Sequence, residues 1–85
     1  MWFVYVIRSI KSNYRYIGST NDLKRRIDEH NSGISRSTSP YKPFDLEAYV
    51  AVNSEAKARA LEKYFKTGSG KAVLYKRILT NEALA

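Results

Sequence analysis

The chain is predicted to fold as an α+β sandwich, a three-stranded antiparallel sheet flanked by helices in the order ββαβαα. Three observations predict it. Residues 2–8 (Trp-Phe-Val-Tyr-Val-Ile-Arg) form an aromatic and β-branched run without a polar face, as in a strand covered on both sides. Residues 44–52 alternate: Phe44, Leu46, Ala48, Val50 and Val52 fall on one face, Asp45, Glu47, Tyr49 and Ala51 on the other, as in a half-exposed strand. Two further segments, around residues 23–30 and 55–66, carry apolar residues at helical spacing. With 85 residues there is room for one domain, over 1–85, and for a small core.

Taken in order, the first run is the central strand. Ser9 to Asn13 carry turn chemistry, and Tyr14 to Ser19 return as a second strand, making a hairpin. Hairpin partners share a face, so an odd sum of paired residue numbers puts Tyr5 and Tyr16 on one face and an even sum separates them. Thr20 or Asn21 is suited to cap the first helix, with Asp22 in its first turn. Leu23, Arg26, Ile27 and His30 form one stripe, while Lys24 with Asp28 and Arg25 with Glu29 pair on the outer face. Gly33 suits a left-handed end.

Residues 32–43 form a Ser/Pro-rich loop without an acid, followed by the alternating strand. Ser54 is expected to cap a second helix reaching about Lys66, with Ala58, Leu61, Glu62 and Phe65 on its stripe. Gly68-Ser69-Gly70 is expected to break it. A last helix over about Lys71 to Leu79 then packs through Leu74, Tyr75 and Ile78, and the tail from Thr80 to Ala85 is expected to fray.

Fifteen Lys and Arg against eight Asp and Glu give a net charge of +7 and a pI near 9.8, a balance that attracts polyanions, nucleic acid foremost. The plainer explanation, solubility, stays open. The absence of cysteine excludes disulfides and thiolate metal sites. The longest apolar run, Trp2 to Ile7, is too short to span a bilayer, so a soluble cytoplasmic protein is expected, monomeric by default.

Three residues break the binary pattern: Arg26 and His30 on the first helix's apolar stripe, and Glu62 on the second's. Burying such groups costs several kcal/mol unless a partner compensates. A structural Arg26–Glu62 bridge would be one answer, and a site would be another. Glu62 is also the only acid among seven basic residues between Lys57 and Arg77. A lone carboxylate on a phosphate-attracting surface suits a divalent cation, since Mg²⁺ is commonly held by one carboxylate and substrate oxygens. Gly68-Ser69-Gly70-Lys71 is not a phosphate-binding loop, because Phe65 stands where a glycine is needed and Ala72 where Ser or Thr is.

The ordered set Tyr5, then Tyr16-Ile17-Gly18, then Arg26, His30 and Glu62 resembles the GIY-YIG nuclease superfamily over essentially the whole chain. Its small stand-alone members are the most similar, together with the amino-terminal endonuclease domain (the URI type) of the excinuclease that incises DNA in nucleotide-excision repair. The first triplet keeps only its tyrosine, Phe3 and Val4 replacing Gly and Ile, and Ser19 stands where some relatives carry a basic residue. The resemblance implies hydrolysis of DNA phosphodiesters with one Mg²⁺ or Mn²⁺, in repair or mobile-element biology. Glu62 would anchor the metal and Arg26 would bind the scissile phosphate. Tyr5, slightly favoured over Tyr16, would take a proton from the attacking water. His30 would assist proton transfer or contact phosphate, and Gly18 would allow close approach of the backbone. Lys24, Arg25, Arg36, Lys42, Lys63, Lys66 and Lys71 would supply backbone affinity with little sequence preference. A non-catalytic nucleic-acid-binding module and a protein-interaction adaptor are the alternatives at this point.

Overall fold

The computed structural model describes residues 1–79; the tail expected to fray lies outside them. Strand β1 (Trp2–Ser9) is central, between β2 (Arg15–Thr20) and β3 (Phe44–Val52), both antiparallel to it. Helix α1 (Leu23–Ser32) covers one face of the sheet; α2 (Glu55–Phe65) and α3 (Gly68–Val73) cover the other. The pleat divides β1 between two cores. Val4 and Val6 pack with Ala58, Phe65 and Leu74, whereas Tyr5 and Ile7 pack with Phe44 beneath Leu23 and Ile27. A strand clad on both faces has no place for a polar residue, which is why its sequence is apolar throughout.

Hairpin register decides the site. Tyr5 pairs with Gly18 and Ile7 with Tyr16, an odd sum, so Tyr5 and Tyr16 stand on the α1 face with ring centroids 6.2 Å apart. Ser19, paired with Val4, points to the α2 face instead.

Three expectations are corrected. The cap of α1 is Asp22, not Thr20 or Asn21: its carboxylate accepts from the Arg25 N–H at 3.1 Å. Thr20 is instead buried and bonded to the Asp22 backbone. Gly68 to Gly70 do not separate two helices but form the first turn of α3, capped by Thr67, whose hydroxyl accepts from the Gly70 N–H at 3.0 Å. Gly70 is there for close packing, since a Cβ would sit 1.7 Å from the Tyr64 carbonyl oxygen. Finally, Leu74–Leu79 wind as π-helix, and the wider turn brings Leu79 rather than Ile78 to the core. Ile78 and Tyr75 are exposed, Tyr75 under the Arg15 guanidinium at 5.3 Å.

Gly33 ends α1 at φ 86, in the left-handed region. The loop beyond is pinned rather than loose. The Asn31 amide pairs with both backbone groups of Phe44 at 2.7 and 3.3 Å, and the Ser9 hydroxyl donates to the Tyr41 carbonyl at 2.6 Å. Among the described residues no helix is long and apolar enough to cross a membrane.

Candidate active site

Tyr5 is 1% exposed, on the most protected strand of the sheet. Its hydroxyl lies 2.8 Å from His30 Nε2, and His30, in the last turn of α1, is itself completely buried. The imidazole is walled by Tyr5, Tyr16 and Phe44, with centroids at 5.8, 5.0 and 6.0 Å. Burial, and then the neighbouring Tyr16, pushes the Tyr5 phenol up to about 12 against the pull of Arg26. Burial, reinforced by the Arg26 charge, lowers His30 to about 4. His30 is therefore a neutral acceptor at physiological pH and, being fully covered, touches the phenol rather than solvent.

Arg26, one turn before His30, is half-buried and bonded to Glu29 Oε1 at 3.0 Å. Its charge acts on both the Tyr5 phenol and the His30 ring. Glu62 approaches from the opposite face of the sheet. It accepts from the Ser19 hydroxyl at 2.7 Å and from Lys66 Nζ at 2.6 Å. Because β2 is an edge strand, these groups meet around its rim: Lys66 Nζ lies 5.9 Å from the Tyr16 ring centroid, and the Glu62 charge reaches Tyr5. The structural Arg26–Glu62 bridge does not form; each has a separate partner.

Gly18 is the hinge of this arrangement. A Cβ there would lie 2.6 Å from the Tyr5 hydroxyl and 2.9 Å from the Tyr16 ring, so the space is taken by the two phenols. The resemblance implies close approach of the backbone at Gly18, and in the fold the two tyrosines lie against it.

The basic residues divide. Lys63 and Lys66 line an open groove of about 460 Å³ with Ser19, Glu62 and Arg59, the last of which sequence reasoning missed. Lys24 and Arg25 lie on the outer face of α1 among Asp22, Asp28 and Glu29, whose charges offset theirs. Arg36, Lys42 and Lys71 are exposed, and none of the three lines the Glu62 groove. Also missed were Ser19 and Lys66 as partners of Glu62, and Thr38 as the partner of His30 at 2.8 Å. Only the i,i+4 spacing of Glu62 and Lys66 could have signalled any of these.

The GIY-YIG catalytic domain model matches residues 1–76. The chain belongs to the GIY-YIG family. It is 35% identical over 65 residues to the UPF0213 protein YazA of Bacillus subtilis, covering 75% of this chain and 65% of that protein. It is 36% identical over 66 residues to a UPF0213 protein of Vibrio campbellii, covering 76% and 62%. The chain thus spans somewhat less than two thirds of either relative. The solution NMR structure of the UPF0213 protein BH0048 from Bacillus halodurans superposes with a TM-score of 0.58 at 29% identity, covering 98% of this chain and 92% of that one.

Nucleases of this family carry a divalent metal, and the residues present set limits on how one would be held. Among the described residues no group of three His, Cys, Asp or Glu converges into an all-protein cage. Glu62, 22% exposed in its side chain at the open groove, fits the alternative in which one carboxylate and substrate oxygens share a hard cation. Lys66, which holds one Glu62 oxygen, is 49% exposed in its side chain.

Proposed function

We propose that this GIY-YIG protein is a metal-dependent endonuclease that hydrolyses DNA phosphodiesters with low sequence specificity, in repair or mobile-element biology. One observation supports it above others: two phenols, a guanidinium and a lone carboxylate, from four different elements, gather around the β2 rim at Gly18. Arg26 binds the scissile phosphate with its fork of donors, exchanging Glu29 for an oxyanion whose negative charge builds in the transition state. Tyr5 accepts the proton of the attacking water at its oxygen while passing its own to His30 Nε2. The water oxygen bonds to phosphorus and the leaving oxygen departs with its electron pair. Such a relay avoids a free phenolate, which a phenol at about 12 would resist at neutral pH. It ends on an imidazolium that burial and Arg26 disfavour, so the proton rests on His30 only transiently. Tyr16, half-buried at the rim, orients water or phosphate. Glu62 holds Mg²⁺ or Mn²⁺, which supplies charge neutralisation for the phosphate and leaving oxygen.

Lys63 and Lys66 beside the groove give sequence-independent affinity, with Lys24, Arg25, Arg36, Lys42 and Lys71 adding to the wider field. The test is nicking of supercoiled plasmid by wild type and Glu62→Gln, with Mg²⁺ or Mn²⁺ and a chelator control. Metal-dependent nicking lost in Glu62→Gln, with DNA binding retained, is expected. Equal nicking by both proteins would overturn the assignment. A second reading, a non-catalytic DNA-binding module, is favoured by the engagement of both Glu62 oxygens, and predicts binding without nicking in the wild type.

A further inference from the structure

Thr38 sits in the Ser/Pro-rich loop, outside every motif of the chain, yet it is completely buried. Its Oγ1 is 2.8 Å from His30 Nδ1 and 3.3 Å from the Ser35 carbonyl oxygen. A carbonyl only accepts, so a Thr38 hydroxyl that uses this bond gives its proton to Ser35 and presents a lone pair to His30. Nδ1 must then carry the imidazole proton, leaving Nε2 bare for the Tyr5 O–H. The opposite tautomer turns both ends the wrong way. Nε2–H would donate to the phenol oxygen, leaving the buried Tyr5 proton without an acceptor among its described side-chain bonds, and Thr38 would abandon Ser35. Only the first arrangement gives each of these buried groups a complementary partner.

We infer that Thr38 is a positioning residue that holds His30 in the Nδ1–H tautomer, and so makes His30 Nε2 the recipient of the Tyr5 proton. The loop holds Thr38 in place independently of the imidazole. The Thr38 N–H donates to the Ser35 carbonyl at 3.2 Å, and Tyr41 closes the 3-10 turn onto the Thr38 carbonyl at 2.9 Å. The Asn31–Phe44 and Ser9–Tyr41 bonds tie the loop at both ends. If the proton arrives on Nε2, the imidazolium still donates from Nδ1 to the same oxygen, so Thr38 need not rearrange during transfer. The tautomer assignment stands on hydrogen bonding alone; only its catalytic consequence rests on the proposed nuclease function.

His30 is the single histidine of the chain, so its ring nitrogens can be read without assignment ambiguity. The experiment is a long-range ¹⁵N–¹H correlation spectrum of the uniformly ¹⁵N-labelled full chain at pH 7.5, for wild type, Thr38→Ser, Tyr5→Phe and the double variant Tyr5→Phe/Thr38→Val. The Tyr5 O–H also favours a bare Nε2, so Tyr5→Phe isolates the hold exerted by Thr38. Wild type, Thr38→Ser and Tyr5→Phe are expected to show protonated Nδ1 and bare Nε2, and the double variant a shift to Nε2–H. A wild type with Nε2 protonated, or a Tyr5→Phe in which the proton moves to Nε2, overturns the inference. Should the double variant fail to fold, the wild-type and Tyr5→Phe spectra still decide. In the nicking assay Thr38→Val is expected to lose at least about tenfold in kcat with DNA affinity unchanged, and Thr38→Ser to restore it. Absence of nicking in wild type would overturn the proposed function while the spectra continue to judge the tautomer.

Discussion

The hydroxyl of Tyr5 occupies the space where a side chain on its cross-strand partner, Gly18, would begin: an ideal Cβ there lies 2.6 Å from that oxygen. Both phenols of the site lean over this one residue, so the glycine sets how closely the rim of β2 can be approached.

Gly18→Ala is accordingly expected to displace Tyr5 and break its bond to His30. The overpacking should cost about 1–3 kcal/mol, read as a lower urea midpoint at unchanged m-value. Nicking should fall more than stability at a temperature where the variant is fully folded. An alanine variant as stable and active as wild type would show that the phenols tolerate displacement.

Gly70→Ala tests packing away from the site. A methyl would meet the Tyr64 carbonyl oxygen at 1.7 Å, and that oxygen belongs to the helix backbone, so no flexible side chain can yield. A loss of about 3 kcal/mol or more is expected in thermal or urea unfolding.

Histidine burial makes stability depend on pH. His30 titrates at about 4 in the folded chain but near the ordinary 6.5 when unfolded. Between these values the unfolded state binds more protons, so stability is complete above about pH 6.5 and falls as pH drops towards 4. The full effect is on the order of 3 kcal/mol. The gap in unfolding free energy between wild type and His30→Gln, from urea titrations, should narrow by about 2–3 kcal/mol between pH 7.5 and 4.5. At the alkaline end Tyr5 stays protonated up to about 12 in the folded chain, so stability declines again as pH rises above 10, a decline Tyr5→Phe should lessen.

Lys66 competes for the Glu62 oxygen that a cation would use. An exposed pair of this kind is worth about 0.2–1 kcal/mol. Lys66→Gln should therefore lower the Mn²⁺ concentration for half-maximal nicking by up to about fivefold, while DNA affinity becomes less steeply salt-dependent. An unchanged metal requirement would show that Lys66 leaves Glu62 without cost.

Periodicity was enough for the architecture. The apolar run of β1, the alternation of β3 and the helical stripes of α1 and α2 are local signals, each reporting which neighbours its own residues must meet. Conflict with those stripes singled out Arg26, His30 and Glu62, since charge and imidazole on a core-facing stripe need a partner. The breaks were less legible. Asp22 capped α1 in place of Thr20 or Asn21 because all three can accept a backbone N–H, and Thr20 turned inward. The Gly68–Gly70 stretch looked like a helix break because propensity weighs each glycine alone, whereas Gly70 answers to the Tyr64 backbone.

The amino-acid order by itself determined the three strands, helices α1 and α2, a central strand covered on both faces and the residues too polar for their places. Tertiary structure alone decided that the hairpin registers Tyr5 on Gly18, that Glu62 reaches Ser19 and not Arg26, and that Thr38 closes on His30. The physical reason is range. Hydrophobic spacing is an average over neighbours a few positions apart, whereas a hydrogen bond is set by single atoms within about 3 Å, whose meeting depends on how separate elements dock.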